Sequence, residues 1–306
     1  MTTLRLGTRG SALALAQAGW VQTELQRRHP SCRIDLAVIK TSGDRIQDRS
    51  LAEVGGKGLF VKEIEEALLR GEIDLAVHSM KDLPADLAAG LVIAAVPERA
   101  DPTDVLIARP PSSLADLPRG ARVGTSSLRR AALLRAVRRD LDVVPLRGNV
   151  DTRLRRLEEG AVDAIVLAAA GLDRLGVAPA GMTGLPPETF VPAIGQGALA
   201  IEARAGAHAG LLAALDDAAT HTATRAERAF LRGASGSCTT PIAAHARIAG
   251  ADLVMDAVIA SPDGTSMVRG SIRGAAADAE RLGAELAADL LGRGGAEILR
   301  ALGARP

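Results

Sequence analysis

The chain has 306 residues, 37 basic against 36 acidic side chains (net charge +1) and 47% apolar residues, the balance of a globular protein long enough for two or three domains. That charge excludes a bulk binder of nucleic acid or anionic membrane, which carries a large basic excess. One Trp, three Phe and no Tyr exclude base-stacking platforms and aromatic cages, and two Cys exclude a disulfide framework or a Cys-rich zinc site. No apolar run approaches the ~20 residues of a membrane span. Residues 1–7 lack the apolar core of a signal peptide, so a cytoplasmic location is expected.

In chain order, short apolar runs at 4–7, 34–39, 75–77, 92–96, 105–108, 122–124, 142–145 and 164–168 predict buried strands. Amphipathic segments at 12–28, 61–70, 128–139 and 152–159 predict the helices between them. The alternation predicts an α/β fold with parallel or mixed sheets. Leu6-Gly7-Thr8-Arg9-Gly10-Ser11 is echoed by Val123-Gly124-Thr125-Ser126-Ser127, and Gly71-Glu72-Ile73-Asp74-Leu75 by Gly160-Ala161-Val162-Asp163-Ala164. The same order of units occurs twice, which predicts two similar α/β domains. Domain 1 takes 1–97 and 198–216, domain 2 takes 103–191, and the segments 97–102 and 185–197 cross between them. A polar, Gly-rich stretch at 41–60 reads as a mobile loop. After residue 215 the pattern changes. A helix at 222–231, strands at 243–248, 253–260 and 266–272, and a long amphipathic helical end predict a smaller α+β domain 3 over 220–306.

Each Gly-Thr…Ser turn places Ser11 or Ser127 at a helix N-terminus, where free N–H groups attract anions. A plain N-cap is the simpler use. Arg129 and Arg130 stand in the first turn of one predicted helix, and Arg153, Arg155 and Arg156 in the first turns of another, after Arg147-Gly148-Asn149. Cations there oppose the helix dipole, so their gathering points to a bound polyanion. Arg138 and Arg139 close a helix and complement its dipole. His78-Ser79-Met80-Lys81-Asp82 leaves a buried strand, the usual place for an α/β active site. Gly55-Gly56-Lys57-Gly58 lacks the Ser or Thr of a phosphate-binding P-loop, and the five His show no metal spacing. Cys238 lies in a polar loop, where a lone Cys is a nucleophile, an attachment point or, more often, incidental.

These motifs, in this order and joined by Leu59-Phe60, Leu146-Arg147-Gly148-Asn149, Gly195-Gln196-Gly197-Ala198 and Pro241, resemble the porphobilinogen deaminase (hydroxymethylbilane synthase) family over nearly the whole chain. The resemblance implies two periplasmic-binding-protein-like α/β domains and a smaller C-terminal one, in a monomer. It implies a dipyrromethane cofactor held by a thioether to Cys238, on which four porphobilinogen molecules are joined head to tail with release of ammonia. Each pyrrole carries an acetate and a propionate, so the growing chain is a polyanion. Arg9, Ser11, Thr125, Ser127, Arg129, Arg130, Arg147 and Arg153 are then a carboxylate cradle. Arg174, Lys57, Lys81, Ser79 and Gln196 match further binding positions, and Phe60 is placed to cover the reacting ring. Asp82 matches the catalytic Asp, whose carboxylate stabilises the azafulvene cation left by ammonia and shuttles protons. Glu53 stands where Lys is frequent in the family, and Ser237 precedes the Cys where Gly is common.

Two other readings fit part of the pattern. A non-catalytic anion-binding protein, or the effector domain of a regulator, explains the repeated domains and the Arg residues but not Cys238, domain 3 or His78 to Asp82. A phosphate-ester enzyme lacks a metal-binding carboxylate cluster. Only four basic residues are Lys, and three of them (Lys57, Lys62 and Lys81) fall in or beside the motifs nearest the expected chemistry.

Overall fold

The computed structural model describes residues 2–42, 61–234 and 240–303. The chain forms two compact units, Met1–Ala100 with Ala198–Thr222, and Asp101–Gly197 with Ala223–Pro306. The first opens with β1 (Thr2–Thr8), α1 (Ala12–Arg28), β2 (Cys32–Val38), α2 (Lys62–Leu69), β3 (Leu75–Ser79), a 3-10 turn at Met80–Asp82, and β4 (Leu91–Ala95). The second adds β5 (Asp104–Ala108), β6 (Arg122–Gly124), α3 (Leu128–Val137), β7 (Asp142–Val144), α4 (Val150–Glu158), β8 (Ala164–Ala168), α5 (Ala169–Arg174) and β9 (Met182–Leu185). The chain then supplies β10 (Leu199–Arg204) and α6 (Ala209–Leu212) to the first unit.

Local chemistry sets these elements. α1 begins where the Ser11 hydroxyl accepts the N–H of Ala14 at 3.3 Å, buries Gln17, Ala18, Val21 and Leu25, and ends at His29, ahead of Pro30. α2 and α4 close alike. Gly71 and Gly160 adopt left-handed φ of 71° and 72°, and their N–H groups bond Leu68 and Leu157. The next N–H groups, of Glu72 and Ala161, reach back to Ala67 and Arg156, so both ends are Schellman motifs. Directly after each, Asp74 or Asp163 accepts the N–H of Arg5 or Arg122, at 2.8 and 2.7 Å.

The repeat extends to the sheets. The first has the order β2-β1-β3-β10-β4 and the second β7-β6-β8-β5-β9. In each, three parallel strands are followed by one antiparallel strand, β10 or β5, that enters between its neighbours. The mixed α/β architecture expected from the alternation is therefore present. β9 and β10 go beyond the sequence expectation, because they lie in or next to the Gly- and Pro-rich stretch read as a crossing. β9 is short and contains Gly184, and the apolar run of β10 is broken by Glu202.

The C-terminal region runs α7 (Ala218–Gly233), then β11 (Ile242–Ala249), β12 (Asp252–Ala260) and β13 (Met267–Ala275) in an antiparallel meander, then α8 (Ala279–Leu290) and α9 (Ala296–Ala301). Ala243 and Val258 of this sheet share a buried cluster with Leu106, Val123, Leu134 and Phe190. The amphipathic helical end consists of two helices, parted at Leu291–Gly295 where Gly294 turns to φ 110°. Among the described residues no helix is long and apolar enough to cross a membrane.

Candidate active site

β1 and β3 are adjacent parallel strands, so their C-terminal ends open on one edge of the first sheet. There a cleft is lined by Arg9, Ser11, Gln17, His78, Ser79 and Asp82. Four residues expected at the site, Arg9, Ser11, Ser79 and Asp82, are thus brought together. The turn carrying Asp82 is fixed by Met80, whose N–H bonds Ala198 at 3.0 Å and whose carbonyl accepts the N–H of Leu83 at 3.1 Å. Asp82 is exposed and Lys81 half-buried. Gln17, buried on α1, holds the Ser79 hydroxyl at 2.9 Å. The Ser11 hydroxyl is engaged as an N-cap, so the simple use of that serine is real.

In the second unit Ser127 likewise caps α3, accepting the Arg130 N–H at 3.4 Å, and Thr125 Oγ1 accepts the Ser127 N–H at 3.2 Å. Arg129 and Arg130 stand at the start of α3 as expected, but a side chain of this protein supplies the negative charge they face. The wholly buried Asp104 gives one oxygen to Arg129 Nη1 at 2.7 Å and the other to Arg130 Nε at 2.8 Å and Nη2 at 2.7 Å. Arg129 Nη1 also donates to the Val191 carbonyl and Arg130 Nη1 to the Val166 carbonyl. The Arg129 guanidinium lies 5.8 Å from the Phe190 ring centroid. Gln196 Nε2 adds a bond to Asp104 at 3.1 Å and one to the Pro102 carbonyl at 2.7 Å. Burial works against the Asp104 carboxylate, yet Arg129 and Arg130 outweigh it and hold its pKa at about 2. Two guanidiniums sharing one carboxylate leave a net positive charge.

Arg153 adds to that charge. Its Nε donates to the Gly148 carbonyl at 2.9 Å. Burial, then the charges of Arg130 and Arg147, pull its pKa down to about 10, so it sits close to like charges. Arg174 donates to the Gly197 carbonyl at 2.6 Å and is pulled down by burial. Arg155 and Arg156 correct the expectation. α4 starts at Val150, earlier than predicted, so both fall in its last turn, where they complement the dipole and face Glu159 at 3.6 Å. Lys57, Phe60, Glu53, Ser237 and Cys238 lie outside the described residues.

Three side chains escaped the sequence reading: Gln17, Asp104 and Glu202. The last two left a signal, each a lone acid in an apolar strand (Asp-Val-Leu-Ile-Ala and Leu-Ala-Ile-Glu-Ala). Glu202 is wholly buried and meets His78 at 2.9 Å.

Two mixed α/β units, with arginine and hydroxyl side chains at their strand ends and helix starts, make this an α/β protein of repeated construction. Among solved structures, the periplasmic aliphatic sulphonate binding protein SsuA from Escherichia coli is similar at 20% identity and a TM-score of 0.40, covering 76% of this chain and 70% of that one. A TRAP periplasmic solute binding protein from Desulfovibrio salexigens is similar at 11% identity and a TM-score of 0.41, covering 72% and 73%. Residues 4–210 match the family described as porphobilinogen deaminase, dipyromethane cofactor binding domain, and residues 221–292 match porphobilinogen deaminase, C-terminal domain. Porphobilinogen deaminase of Syntrophobacter fumaroxidans is 51% identical over 298 residues, 97% of this chain and 96% of that one. The enzyme of the same name from Syntrophotalea carbinolica is 53% identical over 305 residues, 99% and 97%. The chain belongs to the porphobilinogen deaminase family, as its motifs led one to expect.

Proposed function

We propose that this chain is a hydroxymethylbilane synthase, joining four porphobilinogen molecules head to tail on a dipyrromethane anchored by Cys238. The observation that carries this reading is the close grouping of the Arg130, Arg147 and Arg153 guanidiniums in a chain of this family. A pyrrole chain bearing an acetate and a propionate on every ring fits that donor set, since guanidinium pairs with carboxylate through two parallel N–H donors. When bound, dipyrromethane supplies the pyrrole α-carbon to which each new unit is joined. Each joining forms one C–C bond, breaks the substrate's C–N bond, and releases ammonia and the α-carbon proton.

The chain's own residues divide this work. Arg147, Arg153 and Arg174 bind carboxylates, with Thr125 Oγ1 and the field of the Arg129–Arg130 pair behind them. Lys57 and Lys81 add ammonium contacts, and Phe60 covers the reacting ring. Arg9 and Ser79 orient the incoming porphobilinogen beside Asp82, and Ser11 keeps α1 in place. The Asp82 carboxylate faces the positive charge that develops on the pyrrole as ammonia leaves, and takes the proton that follows. Gln196 acts through Asp104. On the same reading the protein is a cytoplasmic monomer that binds neither nucleic acid nor membrane, and residues 1–97 with 198–216, 103–191 and 220–306 are its three domains.

Intact mass tests the proposal. Purified wild-type protein carries an adduct of two pyrrole units, Cys238→Ser does not, and only the former consumes porphobilinogen with release of ammonia. An unmodified mass for active wild-type protein overturns it.

A further inference from the structure

Between α2 and the first sheet lies a group of ionisable side chains that the steps above do not use. In the antiparallel pairing of β3 with β10, His78 stands opposite Ala200 and Glu202 opposite Ala76. The two are therefore diagonal neighbours on one face. His78 Nε2 and Glu202 Oε2 are 2.9 Å apart, with the side chains 4% and 0% exposed. Glu202 Oε1 is buried with no hydrogen-bond partner among the described residues. Glu65 of α2 completes the group. Its Oε1 accepts the Ala88 N–H at 3.1 Å; burial pushes its pKa up, the Ala88 bond opposes this, and the Glu202 charge adds to the rise.

A buried carboxylate is heavily penalised unless a hydrogen-bonding partner meets it, and the His78 ring is that partner for Glu202. His78 itself lines the cleft and is followed directly by Ser79. The end of β3 is thus held on one side by Gln17 through Ser79 and on the other by Glu202 through His78.

We propose that Glu202 is a positioning residue for the reaction: its buried carboxylate holds the His78 ring by a hydrogen bond and so fixes the strand end from which Ser79 and Asp82 meet the substrate. The role rests on the hydroxymethylbilane synthase reading.

The test uses full-length holoenzyme, wild type and Glu202→Gln, which keeps the shape and removes the charge. Loss of one charged hydrogen bond predicts a kcat lower by roughly 10-fold. KM for porphobilinogen stays within about two-fold, as expected for a group that does not touch substrate. Side-chain 15N spectra show the His78 ring signals shifting as its hydrogen bond to the carboxylate is lost. A Gln variant with wild-type kcat overturns the proposal, as does one whose loss falls on KM instead of kcat. Should the Gln variant fail to fold, Glu202→Asp decides, with kcat reduced and KM kept. Wild-type protein inert towards porphobilinogen refutes the reaction, whereas the 15N spectra report the contact of His78 with Glu202 whatever the reaction is.

Discussion

Asp104 and Arg130 meet through Nε at 2.8 Å and Nη2 at 2.7 Å, both donors falling on one carboxylate oxygen, while Arg129 takes the other. Cations at the start of α3 run against the helix dipole, and a buried anion resolves the conflict. Removing that anion leaves two guanidiniums closed off from water. Asp104→Asn should lower the unfolding free energy by about 3–5 kcal/mol, the usual result of breaking a buried pair from one side. Urea denaturation at neutral pH measures it, and a variant within 1 kcal/mol of wild type (order of magnitude, as for a surface change) contradicts the network.

The same carboxyl makes stability depend on acid. Its pKa of about 2 in the fold lies below the ordinary value near 3.8, so the unfolded chain binds its proton more readily. The contribution is complete above the unfolded value and is lost as pH falls through about 2. A difference of nearly two pH units corresponds to about 2 kcal/mol. The gap between wild type and Asp104→Asn should narrow by that amount between pH 6 and pH 2 (approximate limits of the window). A gap that stays constant with pH assigns the titration elsewhere.

Asp82 lies exposed at the cleft, where its charge is available to a developing cation. Asp82→Asn keeps size and fold and removes that charge. The variant should retain the two-pyrrole adduct and its thermal midpoint while losing nearly all turnover, by about 100-fold or more. Porphobilinogen consumption beside intact mass provides the comparison, and near-normal turnover removes Asp82 from the chemistry.

Arg153 sits among like charges, a poor arrangement for a folded chain and a good one for a polyanion. Arg153→Gln should leave the thermal midpoint equal or higher. It should weaken substrate binding roughly 10-fold, the worth of one charged hydrogen bond. A fall in stability without change in KM makes the residue a structural one.

Much of this was readable from local pattern. Strand and helix periodicity located β1 to β8 and α1 to α4, and Gly-Thr…Ser marked both N-caps, because those signals lie within a few residues of what they describe. Arg9, Ser11, Ser79 and Asp82 reached one cleft because both of their turns follow adjacent parallel strands. Asp104 was not readable as the partner of Arg129 and Arg130, nor Glu202 as that of His78. A lone acid in an apolar strand announces a buried partner but not its identity, and these partners stand 25 and 124 residues away. Hence the guanidiniums that pointed outward on paper are held inward. β10 was missed for the same reason, since its place between β3 and β4 is set by tertiary pairing alone.

That placement has a consequence for synthesis. β4 pairs with β10 and is tied to the rest of its sheet through it, yet about a hundred residues separate the two along the chain. On the ribosome the strands of residues 101–197 are all made before β10 emerges, so their sheet has every member while the earlier one still lacks its fourth. Of the two five-stranded sheets, the one begun first is therefore the one completed second, and β4 waits with an open edge until the ribosome has passed Arg204.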